Sequence, residues 1–308
     1  MGYSARHRKI TPIDSRTLQA DCGPMRLTLQ AFKNGYPQPD LSRAAAEVAF
    51  TFLERIAALR HILSRPTGEI TPPPAGRLAR RMIASTLSIG DTGLTPMAAV
   101  AGTLADAVAD WIFARGATKV VINNGGDIAI RLADDESATV GIRTDIRRPD
   151  IPHVLELNGT HPAWGVATSG FGGRSFTTGI ASAVTVVADR ASTADAAATA
   201  VANACTVADA AIIRLPARQL DPATDIPDID VTVAIGLVPP EKKQTALNRA
   251  LEKTRMLVRK KQIIGALLAI DGENAAEFGL QPFLRPPCNA PPKPRRCPAD
   301  TPAFANHP

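Results

Sequence analysis

Three short stretches group the residue types that can hold a phosphorylated ligand or a cation. The first, VVINNGGD at 120–127, runs a β-branched segment into two adjacent glycines and a carboxylate. Val120, Val121 and Ile122 predict a buried strand, and glycine permits a tight turn or the close approach of a polar group. Asn123, Asn124 and Asp127 would then point at one place, with the backbone of Gly125 and Gly126 open beside them. The same residues also suit a plain hairpin connection into a strand at 128–132, because Asn and Gly are common turn residues.

The second stretch is GVATSGFGG at 165–173. A strand ends in Thr168, Ser169 and Gly170, and Gly170, Gly172 and Gly173 would leave amides free to face an anion, with Arg174 and Ser175 alongside. A phosphate or pyrophosphate cradle is one reading and a glycine-rich hairpin the other. Neither the GxGxxG fingerprint nor a GK[ST] ending is present. The third stretch is TADAAAT at 193–199, where Asp195 and Thr199 lie one turn apart on a helix face, about 6 Å along the axis. Their oxygens suit Mg²⁺, which keeps waters or substrate phosphates in its remaining positions. Alternatively Asp195 serves the helix macrodipole in a first turn capped by Ser192 or Thr193.

These stretches need elements to position them. A strand is expected at 25–32, then a helix over 41–63 with Asp40 as its N-cap, since Leu41, Ala45, Val48, Phe52, Ile56, Leu59 and Leu63 form a stripe at three- and four-residue steps. Pro72, Pro73 and Pro74 interrupt the periodicity. Thr95 and Pro96 open a helix that Gly116 stops. Short strands follow at 119–123, 128–132, 138–143, 153–157, 164–168 and 183–188, then an alanine-rich helix at 193–210, a strand at 229–236, a basic helix at 241–261 and a strand at 264–270. Many short strands with two alanine-rich helices predict an α+β fold, an antiparallel or mixed sheet covered by helices. Residues 1–20 read as a basic flexible N-terminus, 21–284 as one domain, and 285–308 as a proline-rich disordered tail.

The charge distribution narrows the partners. Of the net +6, half lies in residues 1–16, with four basic side chains against Asp14, and half in 285–308, with four against Asp300. The middle is neutral, and aromatics are only 4% of the chain, leaving few platforms on which bases could stack, so no specific nucleic-acid partner is expected. The basic face of 241–261 reads as solvated, or as a dock for an acidic partner or a membrane surface. Four scattered cysteines (22, 205, 288, 297) without a CxxC pair indicate neither a zinc site nor a disulfide framework, and Cys205 reads as a small buried hydrophobe. No run approaches the roughly 20 apolar residues of a membrane span, so a cytoplasmic protein is expected.

Taken in order over 95–210, the three stretches resemble the ApbE-like flavin transferase superfamily, in particular its cytoplasmic UPF branch. Asn124-Gly125-Gly126-Asp127-Ile128, preceded by a helix with Gly102 and Asp106, is similar to the family's NxGGDI-like turn. Residues 165–170 look like its VATSG segment, and Ala194-Asp195 with Thr199 like its metal motif. The resemblance implies FAD or FMN as ligand, with Mg²⁺ held by Asp195 and Thr199, and transfer of the FMN moiety to a threonine or serine of an acceptor protein. Asn124, Gly125, Gly126, Asp127, Thr168, Ser169, Gly170, Gly172 and Gly173 would bind the flavin nucleotide. Two departures stand out: Ala101 replaces the family's lysine, and no histidine occurs between His161 and His307, where the family carries one implicated in transfer. Asp127 and Ser175 are then the candidate catalytic groups, and a non-catalytic flavin-binding or accessory protein is the alternative.

Overall fold

Alternation of inward and outward residues builds the edge of the main sheet from the N-terminus on. The computed structural model describes residues 8–271, 273–276 and 279–285. Strands β1 (Lys9–Pro12) and β2 (Leu18–Cys22) lie within and at the end of the stretch expected to be flexible, because Leu18, Ala20 and Cys22 alternate into the core. β3 (Met25–Lys33) follows, with Leu27 and Leu29 fully buried, and then the short β4 (Tyr36–Pro37). Helix α1 (Pro39–Ala58) starts earlier than expected and is not capped by Asp40: Pro39, whose ring presets a helical φ, takes its first position, and Asp40 falls inside the first turn. A short α2 (Arg60–Leu63) continues it.

Helix α3 (Arg77–Ile89) was not expected, although Leu78, Met82, Ile83 and Ile89 recur at helical spacing between Gly76 and a left-handed Gly90. Helix α4 (Val100–Phe113) follows a single 3₁₀ turn at Pro96–Ala99. Then come β5 (Lys119–Asn124), β6 (Asp127–Leu132), β7 (Ser137–Ile142), β8 (His153–Asn158), β9 (Ala163–Ser169) and β10 (Ala183–Ala188). Helix α5 (Ala191–Ala204) leads to a hairpin of β11 (Ile212–Pro216), not expected from sequence, and β12 (Asp230–Ile235). Helix α6 (Pro240–Arg259), β13 (Gly265–Ile270), β14 (Glu273–Ala276) and β15 (Leu284–Arg285) complete the described chain. The tail 286–308 lies outside the described residues.

The class is α+β, as expected. One antiparallel sheet runs in the order β1-β2-β3-β5-β6-β9-β10-β13-β14, with β4 on β3. Helices α1, α3 and α4 share one core with β2, β3 and β5, while α5 and α6 share a second with β10 and β13. A three-stranded sheet, β15-β8-β7, packs through Val140, Leu155 and Leu157 onto Ile130, Trp164 and Val187. The basic helix α6 buries Ala246, Leu247, Ala250 and Leu257, and on its other face Lys242 pairs with Asp209 and Lys243 with Asp271. Among the described residues one stretch, Pro96–Phe113, is long and apolar enough to cross a membrane, but its Leu104, Val108 and Ile112 sit in the helix-face core. Cys22 and Cys205 are buried free thiols, and burial pushes Cys205 up to about 12, which keeps it inert.

Candidate functional site

The turn at 124–127 is a hairpin and part of a cavity at once, so its two readings are not alternatives. Asn124 and Asp127 face each other across β5 and β6, and Gly125 and Gly126 close the turn with φ of +70° and +113°, which L side chains rarely adopt. The turn and the second motif meet through sheet register. Strand β6 pairs with β9 so that Ile128 lies opposite Val166, and the Asp127 carboxylate accepts a hydrogen bond from the Thr168 amide. Beyond β9, the Thr168 hydroxyl bonds that of Thr185 on β10 at 2.8 Å.

A cavity of about 490 Å³ opens at this end of the sheet. One wall is apolar, from Leu53 and Ile56 on α1, Met97 in the 3₁₀ turn and Val100 and Leu104 on α4; the other carries Asn124, Gly125, Asp127, Thr168, Ser169, Gly173, Arg174 and Ser175. The volume and the one-sided polarity are those of a small-ligand pocket. The Ser169 hydroxyl is buried without a hydrogen-bond partner, an orphan that a ligand oxygen or nitrogen would satisfy. Asn124, by contrast, is occupied: its side-chain amide donates to the Ala101 carbonyl at 3.2 Å.

Several expected roles are not what the structure gives. Asn123 points away from the others, its Oδ1 accepting the Gly126 amide at 2.8 Å inside the turn. Gly126, Gly170 and Gly172 do not line the cavity. The amides of Phe171 and Gly173 donate to the carbonyls of Ala181 and Gly170, so these two are not free to face an anion. Asp195 and Thr199 stand one turn apart on α5 and are half-buried, but neither is among the cavity-lining residues.

Asp195 nevertheless belongs to the same polar centre. Helices α4 and α5 approach closely because residue 102 is glycine: a Cβ there would lie 2.2 Å from the Ala191 carbonyl oxygen. That approach lets Asp195 accept hydrogen bonds from the amides of Gly102, at 2.9 Å, and of Ala101. The start of α5 is capped from a distance, replacing the expected local Ser192 or Thr193 cap. Buried Asp106 on α4 accepts the amides of Ala191 at 3.2 Å and Ser192 at 3.0 Å, the Ser192 hydroxyl at 2.9 Å and Arg131 Nη2 at 2.8 Å. Arg131 Nε in turn donates to Asp110 at 2.8 Å, so this buried charge is paired on both sides.

The electrostatics of the centre are those of two crowded carboxylates. Burial pushes the Asp127 carboxyl up to about 7, although Arg174 and the Thr168 amide pull it down. Burial also raises Asp195 well above the usual carboxylate range; the nearby Asp127 adds to this, and the Gly102 and Ala101 amides oppose it. A hard divalent cation is the natural partner for such a pair, since Mg²⁺ needs only one or two carboxylates with waters and phosphate oxygens. The oxygens of Asp127, Asp195 and Thr199 fit that donor chemistry; among the described residues no cluster of three or more His, Cys, Asp or Glu forms a full protein cage.

Sequence reasoning missed the far wall. Arg60 on α2 lines the cavity and its Nη2 donates to the Ala223 carbonyl, while Thr95 Oγ1 donates to the Asp225 carboxylate. These bonds hold the 217–229 segment between β11 and β12 across the cavity, where Asp221 and Ala223 join its lining. No local pattern signals that contact, because its partners lie more than a hundred residues apart.

The family described as AbpE bacteria matches residues 8–276. A UPF0280 protein of Methanosarcina barkeri is 34% identical over 153 residues, covering 46% of this chain and 56% of that protein. One from Methanosphaerula palustris is 37% identical over 157 residues, covering 50% and 64%. The chain thus spans less than two thirds of either relative. In fold it is similar to the apo crystal structure of Pseudomonas stutzeri flavinyl transferase ApbE, with a TM-score of 0.50 and 13% identity over 90% of this chain and 98% of the other. A mutant flavin transferase ApbE from Vibrio cholerae gives a TM-score of 0.50 and 12% identity, with the same coverage.

Proposed function

Taking as premise that the chain belongs to the ApbE-like UPF family described as AbpE bacteria, we propose that it binds a flavin nucleotide, FAD or FMN, together with Mg²⁺ in the cytoplasm. The observation that carries this reading is the cavity itself, which sets an apolar wall of Leu53, Ile56 and Leu104 against the polar wall of Asp127, Ser169 and Arg174. A ligand with a flat apolar ring at one end and phosphates at the other matches both walls. Asp195 and Thr199 would hold the Mg²⁺, with Asp127 facing it from the sheet, and the bound ion would neutralise charge on the ligand's phosphates.

The chain's own groups have defined work in this site. Ser169 satisfies its hydroxyl on the ligand. Asp127 is the candidate acceptor for the proton of an attacking hydroxyl or water, and Ser175 stands in the same wall. With Ala101 at the family's lysine position and no histidine between His161 and His307, activity is limited to weak FMN transfer or to hydrolysis of FAD into FMN and AMP. The same two absences favour a second reading, a flavin-binding accessory protein without chemistry of its own.

Thermal unfolding with and without FAD tests the proposal. A ligand that binds only the native state stabilises it by about 2.7 kcal/mol at a hundredfold excess over Kd. Gly125→Val should abolish the shift, because a +70° φ is strained for a β-branched residue and its Cβ would lie 2.7 Å from Arg174 Nη1. No shift with FAD, FMN or any adenine nucleotide refutes the pocket assignment.

A further inference from the structure

The glycine turns cannot receive an anion as freely as their composition suggests. Gly126 N is spent on Asn123, Phe171 N on Ala181 and Gly173 N on Gly170. Negative charge brought beside Asp127 and Asp195 therefore has to be met by a side chain as well as by a cation. Among the described residues that line the cavity, only Arg60 and Arg174 are cationic. Arg60 stands on α2 and is turned to the Ala223 carbonyl. Arg174 stands at the carboxylate end.

One hydrogen bond, one close approach and one charge interaction place it there. Its Nη2 donates to the Pro24 carbonyl, its Nη1 rests over residue 125 where any Cβ would come within 2.7 Å, and its charge acts on Asp127. The guanidinium is thus held at one nitrogen by the backbone of the β2–β3 turn, its one side-chain hydrogen bond among the described residues. Gly125 has two duties here, the turn and the room that the arginine occupies.

We propose that Arg174 is the phosphate-positioning residue of this cavity, receiving the oxygens of a phosphorylated ligand through the charge-assisted bonds that a planar guanidinium makes. The proposal rests on the reading of the cavity as a nucleotide site, and it deepens that reading by naming the group that recognises the anion.

Binding measured by calorimetry on the full chain, with Mg²⁺ present, tests it with three probes: inorganic pyrophosphate, FAD, and riboflavin, which has the ring and no phosphate. Arg174→Gln should weaken pyrophosphate and FAD at least about tenfold and leave riboflavin within twofold of wild type, and Arg174→Lys should recover part of the loss by restoring a point charge. Unchanged pyrophosphate and FAD affinity in Arg174→Gln overturns the assignment, as does an equal loss of riboflavin, which would mark a structural role. Pyrophosphate binding that needs Arg174, without any flavin binding, sustains the arginine and removes the flavin reading. Flavin binding indifferent to Arg174→Gln does the reverse, and no binding of any probe overturns both. Should Arg174→Gln fail to fold, the same comparisons are made with Arg174→Lys, for which a loss of FAD and pyrophosphate affinity with riboflavin spared is expected and wild-type affinity for all three is the contrary result.

Discussion

The Gly102 amide donates to the Asp195 carboxylate at 2.9 Å, fastening the start of α5 to the start of α4 across 93 positions of sequence. The bond is possible only because the two backbones nearly touch at Gly102 and Ala191. The proposed metal-holding carboxylate is therefore placed by helix packing and not by its own helix alone.

Gly102→Ala should then separate the helices. The new methyl would meet a backbone carbonyl at 2.2 Å, which cannot rotate away as a side chain can. A loss of about 1–3 kcal/mol is expected in chemical denaturation, as for other overpacked sites, together with weaker Mg²⁺-dependent ligand binding. Wild-type stability in this variant would show that the two helices slide apart without cost.

Asp195→Asn should leave the fold intact, because an amide oxygen still accepts from Gly102 and Ala101, yet remove the effect of Mg²⁺ on ligand binding. Thr199→Ala should do the same more mildly. If Asp195→Asn binds ligand with the wild-type Mg²⁺ dependence, Asp195 is a structural acceptor only.

The raised Asp127 carboxyl has a pH signature in the metal-free protein. Its proton is held more tightly in the folded state, at about 7, than in an unfolded chain, where about 3.9 is usual. The stability it contributes is complete below the unfolded value and is lost as pH rises through about 7. Melting curves from pH 4 to 8 should show that decline, Mg²⁺ should raise the midpoint more at pH 8 than at pH 5, and Asp127→Asn should flatten both trends. A Mg²⁺ effect independent of pH would contradict the placement of the ion beside this group.

Mass spectrometry of a threonine-containing acceptor peptide, incubated with the protein, FAD and Mg²⁺, should find little FMN attached. General acid–base assistance is typically worth about 10²–10⁴-fold, and the residues that supply it in the resembled family are absent here. Slow release of AMP is compatible with charge neutralisation alone. Transfer at the rate of an authentic family enzyme run in parallel would reverse this expectation and turn attention to Asp127 and Ser175.

Much of the molecule is legible without a structure because its signals are local. The β-branched run at Val120, Val121 and Ile122, the paired glycines 125 and 126, and the apolar stripe of the basic helix announce a strand, a turn and a core-packed helix through periodicity and φ preference alone. The order of the three motifs likewise carries the family, and the short strands with two long helices the α+β class. What only the tertiary structure decides is which of those residues are free to act. Sheet register sets Asp127 beside the Thr168 amide, a missing Cβ at Gly102 brings Asp195 under α4, and Asp106 caps a helix 86 positions away. The Asn123 side chain takes the Gly126 amide and the Gly170 carbonyl takes that of Gly173, while Arg174 stands at the cavity. Composition and spacing state which groups a chain possesses. Whether a given amide or carboxylate is already satisfied depends on partners that packing brings from elsewhere in the chain, and no window of neighbouring residues contains them.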